Sequence, residues 1–421
     1  MSTNPFRVLR HRDYALFWFA AVVSDIGTWM QAVTVGIIVA DQTGKASSTG
    51  LIAAAAFAPQ AFAAPIGGVI ADRFDRRNVL RISLAVQTAI TLALSVLLAR
   101  GNPSTAAMAM LVLLQGTTNS IGQPAAQAML PDLVPREELI SAVALGIVSW
   151  NSGRIIGPAL AGIIIELTSA ARVIQLNALS FVVLLGAVSL LRRPFRAPEG
   201  TVHLPFASSL RVGVDTIRRT PTIRQAAQVA TLSQLCFIAL AGLVPIVAKN
   251  VHHGASGLTS VMTTGQGIGS LIGATMVPTV VAYIGRSRSV AFTAATTAVA
   301  ITAVLNSPWR AGAVAAMVVY GMVLMGTQVA MIGAVQRDAP PESRARVLSM
   351  FQAGFGLFYG IPVLAIGWAG DRFGLRISFA VLTAVGALWL TDMIVRRRTA
   401  WRLLNAGDPP PLMDLPRPGW R

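Results

Sequence analysis

The stretch GGVIADRFDRR, residues 67–77, decides how this chain is read. Five of the six residues from Asp72 to Arg77 are charged, and they follow a run with no charge at all. In a chain only 12% charged, that contrast needs a physical cause. A helix leaving a bilayer supplies one, since a hydrocarbon core excludes charge and arginine collects where the chain emerges. Outward from this point, similar apolar runs with at most one charge recur at residues 16–39, 51–70, 79–98, 106–129, 142–165 and 173–191. The second half repeats them at 226–248, 261–283, 290–305, 311–335, 347–369 and 377–395.

Composition agrees with this reading. The 421 residues are 54% hydrophobic, and the mean hydropathy of +0.63 is too high for an ordinary soluble protein. The ten-residue alternation of a membrane β-barrel is not seen. The expected fold is therefore all-α and integral to the membrane, with twelve transmembrane helices. A net charge of +17 would suit nucleic acid, but the arginines sit at helix ends rather than along one face, so no such partner is expected. The single Cys236 lies in an apolar run and provides neither a disulfide nor a metal site. No cofactor is expected. The first apolar run is too long for a signal peptide and follows Arg7, Arg10 and Arg12, so none is expected.

Charge also orients the chain. Of the 34 Lys and Arg, 26 fall on the side that holds the N-terminus. Seven fall on the other side: Lys45, Arg100, Arg172, Lys249, Arg310, Arg372 and Arg376. The excess places both termini in the cytoplasm, with the chain in the plasma (inner) membrane. The longest polar segment separates six spans from six. The expected units are 1–191, a linking loop 192–225, 226–400, and a Pro-rich tail 401–421. Within the loop Phe206, Leu210, Val214 and Ile217 recur at helical spacing, as in a helix lying on the membrane surface. A shift of 205 residues lays Gly116 on Gly321, Gln123 on Gln328, Pro135 on Pro340, Glu137 on Glu342 and Gly162 on Gly367. Two pseudo-symmetric six-helix bundles with a site between them are a transporter architecture.

Within the opening stretch, Gly68, Asp72, Arg73, Arg76 and Arg77 fit G-x-x-x-D-R-x-G-R-R, with Asp75 at the second glycine. This is the loop signature of the major facilitator superfamily, which the chain resembles over essentially its full length. Topology alone explains Arg76 and Arg77 but not Asp72, because acids contribute little to orientation. The resemblance implies that the loop latches the two halves on the inner side, against the start of the eleventh helix. Ala144, Gly153, Gly157, Pro158, Ala161 and Gly162 resemble the superfamily's antiporter signature, G-x8-G-x3-G-P-x2-G-G, with two alanines for glycines. That motif implies export; plain helix packing would explain the same glycines. The segments at 24–33, 119–134 and 151–162 are similar to the enterobactin-exporter-like branch. The arginine that many proton-coupled exporters carry in the fourth span is replaced by Val112.

Two ionisable residues lie deep in the spans. Asp25 is about 13 Å and Arg154 about 18 Å from the start of its span at ~1.5 Å per residue. An unpaired charge at such depth costs roughly 2.5–3.5 kcal/mol, and opposite signs at similar depth suggest a pair. The pair reads either as a static brace or as a coupling element for a proton. Trp18 and Trp29 share a helix face with Asp25. The resemblance sets Trp29, Gln31, Asn119, Gln123, Gln127, Gln234 and Gln328 around a central cavity.

No G-x-x-x-x-G-K-[ST], H-E-x-x-H or G-x-S-x-G occurs, and His11, His203, His252 and His253 lie outside the spans, so neither an ATP-driven pump nor an enzyme is expected. The resemblance implies a monomeric secondary carrier exporting an amphipathic small molecule, siderophore- or drug-like, with a proton as partner. An uptake carrier for a nutrient and a sensor without net flux are the alternatives. Orientation is directly testable: cysteines placed at Lys45 or His253 should react with an impermeant maleimide from outside the cell. Reaction from the inside alone would reject it.

Overall fold

In the computed structural model the described residues are 5–101, 103–192, 195, 214–220, 223–224, 227–228, 231, 235–236, 238–338 and 341–395. The side chains of 5, 277–278, 286–287, 327, 329–338, 341–353, 355, 390 and 393–395 are not described. The surface helix expected near 206–217 falls largely outside these residues, and the Pro-rich tail wholly so.

All regular structure among the described residues is helical. After a 3-10 turn, Pro5–Arg10, come α1 (Arg12–Thr43), α2 (Ala46–Phe57), α3 (Gln60–Arg73), α4 (Arg76–Ala99) and α5 (Thr105–Leu133). They are followed by α6 (Leu139–Leu167) and α7 (Ala170–Ser189). The later part of the chain gives α8 (Ala239–Asn250), α9 (Ser256–Ile284), α10 (Arg286–Asn306), α11 (Arg310–Asp338), α12 (Pro341–Phe373) and α13 (Leu375–Val395).

Each expected span coincides wholly or partly with one of these helices, α2 and α3 together taking the second. That span breaks at Ala58–Pro59, where proline has no N–H to continue the ladder. Among the described residues, six stretches are long and apolar enough to cross a membrane: Arg12–Thr43, Ala46–Arg73, Arg76–Ala99, Arg136–Leu167, Ala170–Ser189 and Arg288–Asn306. Helix α5 does not reach the same apolar level because Gln115, Thr117, Thr118, Asn119, Ser120, Gln123 and Gln127 all lie in it.

Local chemistry sets the helix ends. Asp75, the departure from the loop signature, is the N-cap of α4 and accepts from the Asn78 N–H at 2.9 Å. Gly44 closes α1 in the left-handed region (φ +63°), returning its N–H to the Ala40 carbonyl.

Among residues 1–191, α1 packs on α6 and α7, and α4 on α5 and α7. In the later part α9 packs along α11. The two parts meet through α2 on α12 and α6 on α9. Small residues permit these approaches. A Cβ at Gly50 would lie 2.8 Å from the Val363 carbonyl oxygen, and one at Gly267 would lie 2.9 Å from that of Arg154.

The end of the bundle where α1 finishes is tied across the two parts. Lys249 Nζ donates to the Ala40 and Asp41 carbonyls at 3.0 and 2.8 Å, and Asn250 Nδ2 donates to Gly44 at 2.9 Å. The Asp371 carboxylate accepts from the Ala46 and Ser47 N–H groups at 2.6 and 3.1 Å and from the Ser47 hydroxyl.

A buried polar cluster joins four helices within residues 1–191. Gln31 Nε2 donates to Gln115 Oε1 at 2.6 Å, and Asn177 Nδ2 donates to Gln31 Oε1 at 2.8 Å. The hydroxyls of Thr91 and Ser180 complete it, donating to Gln115 Oε1 and Asn177 Oδ1. Such a cluster is stable only when every member has a partner. Gln31→Leu leaves the Asn177 amide without its acceptor, a cost of about 1–3 kcal/mol. Its melting midpoint in detergent should fall below wild type; an unchanged midpoint would show that the cluster does not brace the bundle.

Candidate functional site

Helices α1 and α6 approach at backbone distance. A Cβ on Gly153 would lie 2.7 Å from the Asp25 carbonyl carbon, and one on Gly157 would lie 2.8 Å from the Ile26 carbonyl oxygen. The face of α6 presented to α1 therefore runs Ser149, Gly153, Gly157 in steps of four. Asp25 meets that face, and its Oδ2 accepts from the Ser149 hydroxyl at 2.5 Å.

Arg154 lies one residue beyond Gly153, about 100° round a helix of 3.6 residues per turn. Its side chain is directed away from Asp25, toward Trp29 of α1 and the tyrosines of the opposite part of the chain. The expected Asp25–Arg154 ion pair is not formed here: no nitrogen of Arg154 comes within 4.0 Å of the Asp25 carboxylate. The reason is the register, which gives Asp25 a hydroxyl and sends the guanidinium elsewhere.

The guanidinium stacks on Trp29, with Cζ 5.4 Å from the ring centroid. Trp29 meets Trp150 edge-on at 5.4 Å. Tyr320 of α11 and Tyr359 of α12 lie within electrostatic reach of Arg154, and Tyr359 packs on Phe57 of α2 at 4.7 Å. Arg154 is 9% exposed, and its Nε has no hydrogen-bond acceptor; the Trp29 indole N–H is equally without one. A cation–π contact returns up to about 2 kcal/mol when desolvated, less than the cost of burying the charge. The site thus holds a cation that this conformation compensates incompletely. Ser149, Trp150, Tyr320 and Tyr359 were not read from the sequence; of these only Ser149 left a signal, a hydroxyl one turn before Gly153.

The residues of the antiporter-like motif separate by role. Gly153 and Gly157 face α1, whereas a Cβ at Gly162 would meet the Ser260 hydroxyl of α9 at 2.8 Å. Pro158 is buried inside an unbroken α6. Val112 packs in an apolar cluster with Val35, Val39 and Ile52.

Gln31, expected in a cavity wall, instead belongs to the buried cluster described above. Asn119, Gln123 and Gln127 form one exposed stripe of α5 at i, i+4 and i+8. Amides exposed at that depth need water rather than lipid beside them. Gln328 is half-buried on α11, and Gln234 lies outside the described residues.

In the opening loop, Arg76 Nη1 donates to the Ala128 carbonyl at 3.0 Å and lies 3.6 Å from the Asp132 carboxylate. Arg77 donates to the Ser189 carbonyl. Both arginines tie the loop to α5 and α7 of their own half. Gly68 has open space where a Cβ would stand; the close approach belongs to Gly67, against Ile121 of α5. Asp72 and Arg73 are exposed at the end of α3. The side chains at the start of α12, the expected partner, lie outside the described residues.

Comparison with known proteins places this geometry. The family described as transmembrane secretion effector matches residues 3–418. The staphyloferrin A transporter of Staphylococcus aureus is 25% identical over 64% of this chain and 68% of its own length. The enterobactin exporter of Salmonella typhimurium is 27% identical over 48% of each chain. Among solved structures, the nucleoside transporter NupG superposes with a TM-score of 0.76 at 13% identity, over 91% of this chain and all of that one. Such a likeness shows the fold alone. These proteins are transporters rather than enzymes, and the chain belongs to the transmembrane secretion effector family of the major facilitator superfamily.

Proposed function

We propose that this chain is a secondary active carrier that exports an amphipathic small molecule, siderophore- or drug-like, across the inner membrane in exchange for protons. The observation that carries this reading is the incompletely compensated Arg154 guanidinium, stacked on Trp29 where the two parts of the chain meet. Soluble cores rarely keep such a group, and intramembrane ions mark substrate or proton pathways. The names of two relatives, one a staphyloferrin A transporter and one an enterobactin exporter, support a siderophore-sized cargo.

In this proposal 1–191 and 226–400 act as two rocking units joined by 192–225, with both termini and the tail 401–421 in the cytoplasm. The carrier works as a monomer. Asp25 takes and releases the proton, and its hydroxyl partner Ser149 serves either state, accepting or donating as required. Arg154, on the same helix as Ser149, holds a positive charge near the path. When α1 turns relative to α6, Asp25 can exchange Ser149 for Arg154. The aromatic group of Trp29, Trp150 and Tyr359 and the amide stripe of α5 receive the two chemical faces of an amphipathic cargo.

Asp25→Asn keeps the Ser149 contact and should leave the melting midpoint near that of wild type. It should abolish uphill transport driven by a pH gradient in proteoliposomes, while exchange at equal pH persists. Uphill transport by this variant would remove Asp25 from the coupling. Arg154→Gln should weaken binding of the same cargo and uphill transport by about tenfold or more, as expected for a buried charge in the path. Unaltered protein that binds cargo yet moves none under any gradient would mark a sensor rather than a carrier.

A further inference from the structure

The end of α12 and the turn beyond it read GWAGDRFGLR, residues 367–376. Gly367, Asp371, Arg372, Gly374 and Arg376 reproduce the spacing of the opening loop, G-x-x-x-D-R-x-G-R-R, with Leu375 as the single departure. The triplet Asp-Arg-Phe occurs in both places, at 72–74 and 371–373. This second copy keeps the glycine that the first replaces with Asp75. Gly374 stands at φ +85°, where a side chain would be strained.

The two copies lie at opposite ends of the bundle. In the expected orientation the second faces outward, where arginines run against the positive-inside tendency. Topology therefore does not account for it, but its contacts do. The N-cap of α2 is Lys45, whose side chain forms no cap. Asp371 caps that helix instead, from 325 residues away, accepting from the Ala46 and Ser47 N–H groups at 2.6 and 3.1 Å. A carboxylate at the positive end of a helix dipole is favourably placed. Gly367 and Gly370 admit α2 closely: a Cβ on Gly367 would lie 2.7 Å from the Ala46 carbonyl oxygen. Arg376 Nε donates to the Leu305 carbonyl at the end of α10, at 3.0 Å. In the first copy Arg76 and Arg77 likewise bind the Ala128 and Ser189 carbonyls, near the ends of α5 and α7. In the second copy Arg376 holds the loop to α10 while Asp371 reaches across to α2.

We propose that residues 367–376 are a second loop signature forming an outer latch, and that Asp371 is the gate carboxylate that must leave α2 before the carrier opens outward. Lys249 and Asn250, bound to the carbonyls at the end of α1, close the same face beside it. This inference rests on the carrier reading for its purpose, but not for its measurement.

The test uses the full chain with Cys236→Ser, spin-labelled at Arg100 and Pro308, exposed positions on the same end but in different halves. In nanodiscs, Asp371→Ala should raise the long-distance population by about tenfold, the shift that accompanies loss of one charge-assisted bond. Asp371→Asn, which keeps one acceptor oxygen and the fold, should shift it in the same direction by less. Asp72→Asn should not raise that population. Unchanged distances in both Asp371 variants overturn the outer latch, even if the protein transports. Shifted distances in a protein that transports nothing uphold the latch and remove the carrier reading instead.

Discussion

The contact on which the rest depends is the backbone approach of α1 and α6 at Gly153 and Gly157. A Cβ at either glycine would intrude on the main chain of α1. Because the two helices meet at that distance, their register is fixed to within a residue. Asp25 then has one neighbour within reach, the Ser149 hydroxyl. Arg154 is turned away from that carboxylate and onto the Trp29 ring, within electrostatic reach of Tyr320 and Tyr359. The glycines thus do more than pack. They separate an acid from a base that the sequence places at similar depth, and they leave the base with its charge incompletely answered.

Much of this was legible before any coordinates. The apolar runs and the arginines that end them mark helices, because hydrocarbon rejects charge whatever the tertiary structure. Asp25 and Arg154 stand out for the same reason. Their partners were not legible, because a side chain's direction depends on helix register, which hydropathy does not encode. Gln31 shows this well. Its depth and polarity suit a cavity wall, yet a neighbouring amide at Gln115 and another at Asn177 draw it into the core. The break at Pro59 was hidden because the apolar run continues through it, and Asp75 looked like a defect in a motif when it is a helix cap.

The apolar packing of Val112 bears on coupling. Val112 packs against Val35, Val39 and Ile52, one turn from the Gln31–Gln115 cluster on the same helices. The intramembrane positive charge stands on α6 instead, and the first half of the chain is packed accordingly.

The cross-chain ties at the far end of α1 and α2 also bear on how the protein is made. Chains emerge from the ribosome N-terminus first, and domains tend to fold as they appear. The carbonyls of Asp41 and Gly44 at the end of α1 accept from Lys249 and Asn250, and Lys249 also adds a donor to the Ala40 carbonyl already bound by the Gly44 N–H. The first N–H groups of α2 wait longer still, for an acceptor in Asp371. Until about nine-tenths of the chain has been inserted, the Ala46 and Ser47 N–H groups lack the Asp371 carboxylate that caps them. The first six spans are therefore assembled in an unfinished form during synthesis, and the last loop of the chain completes them.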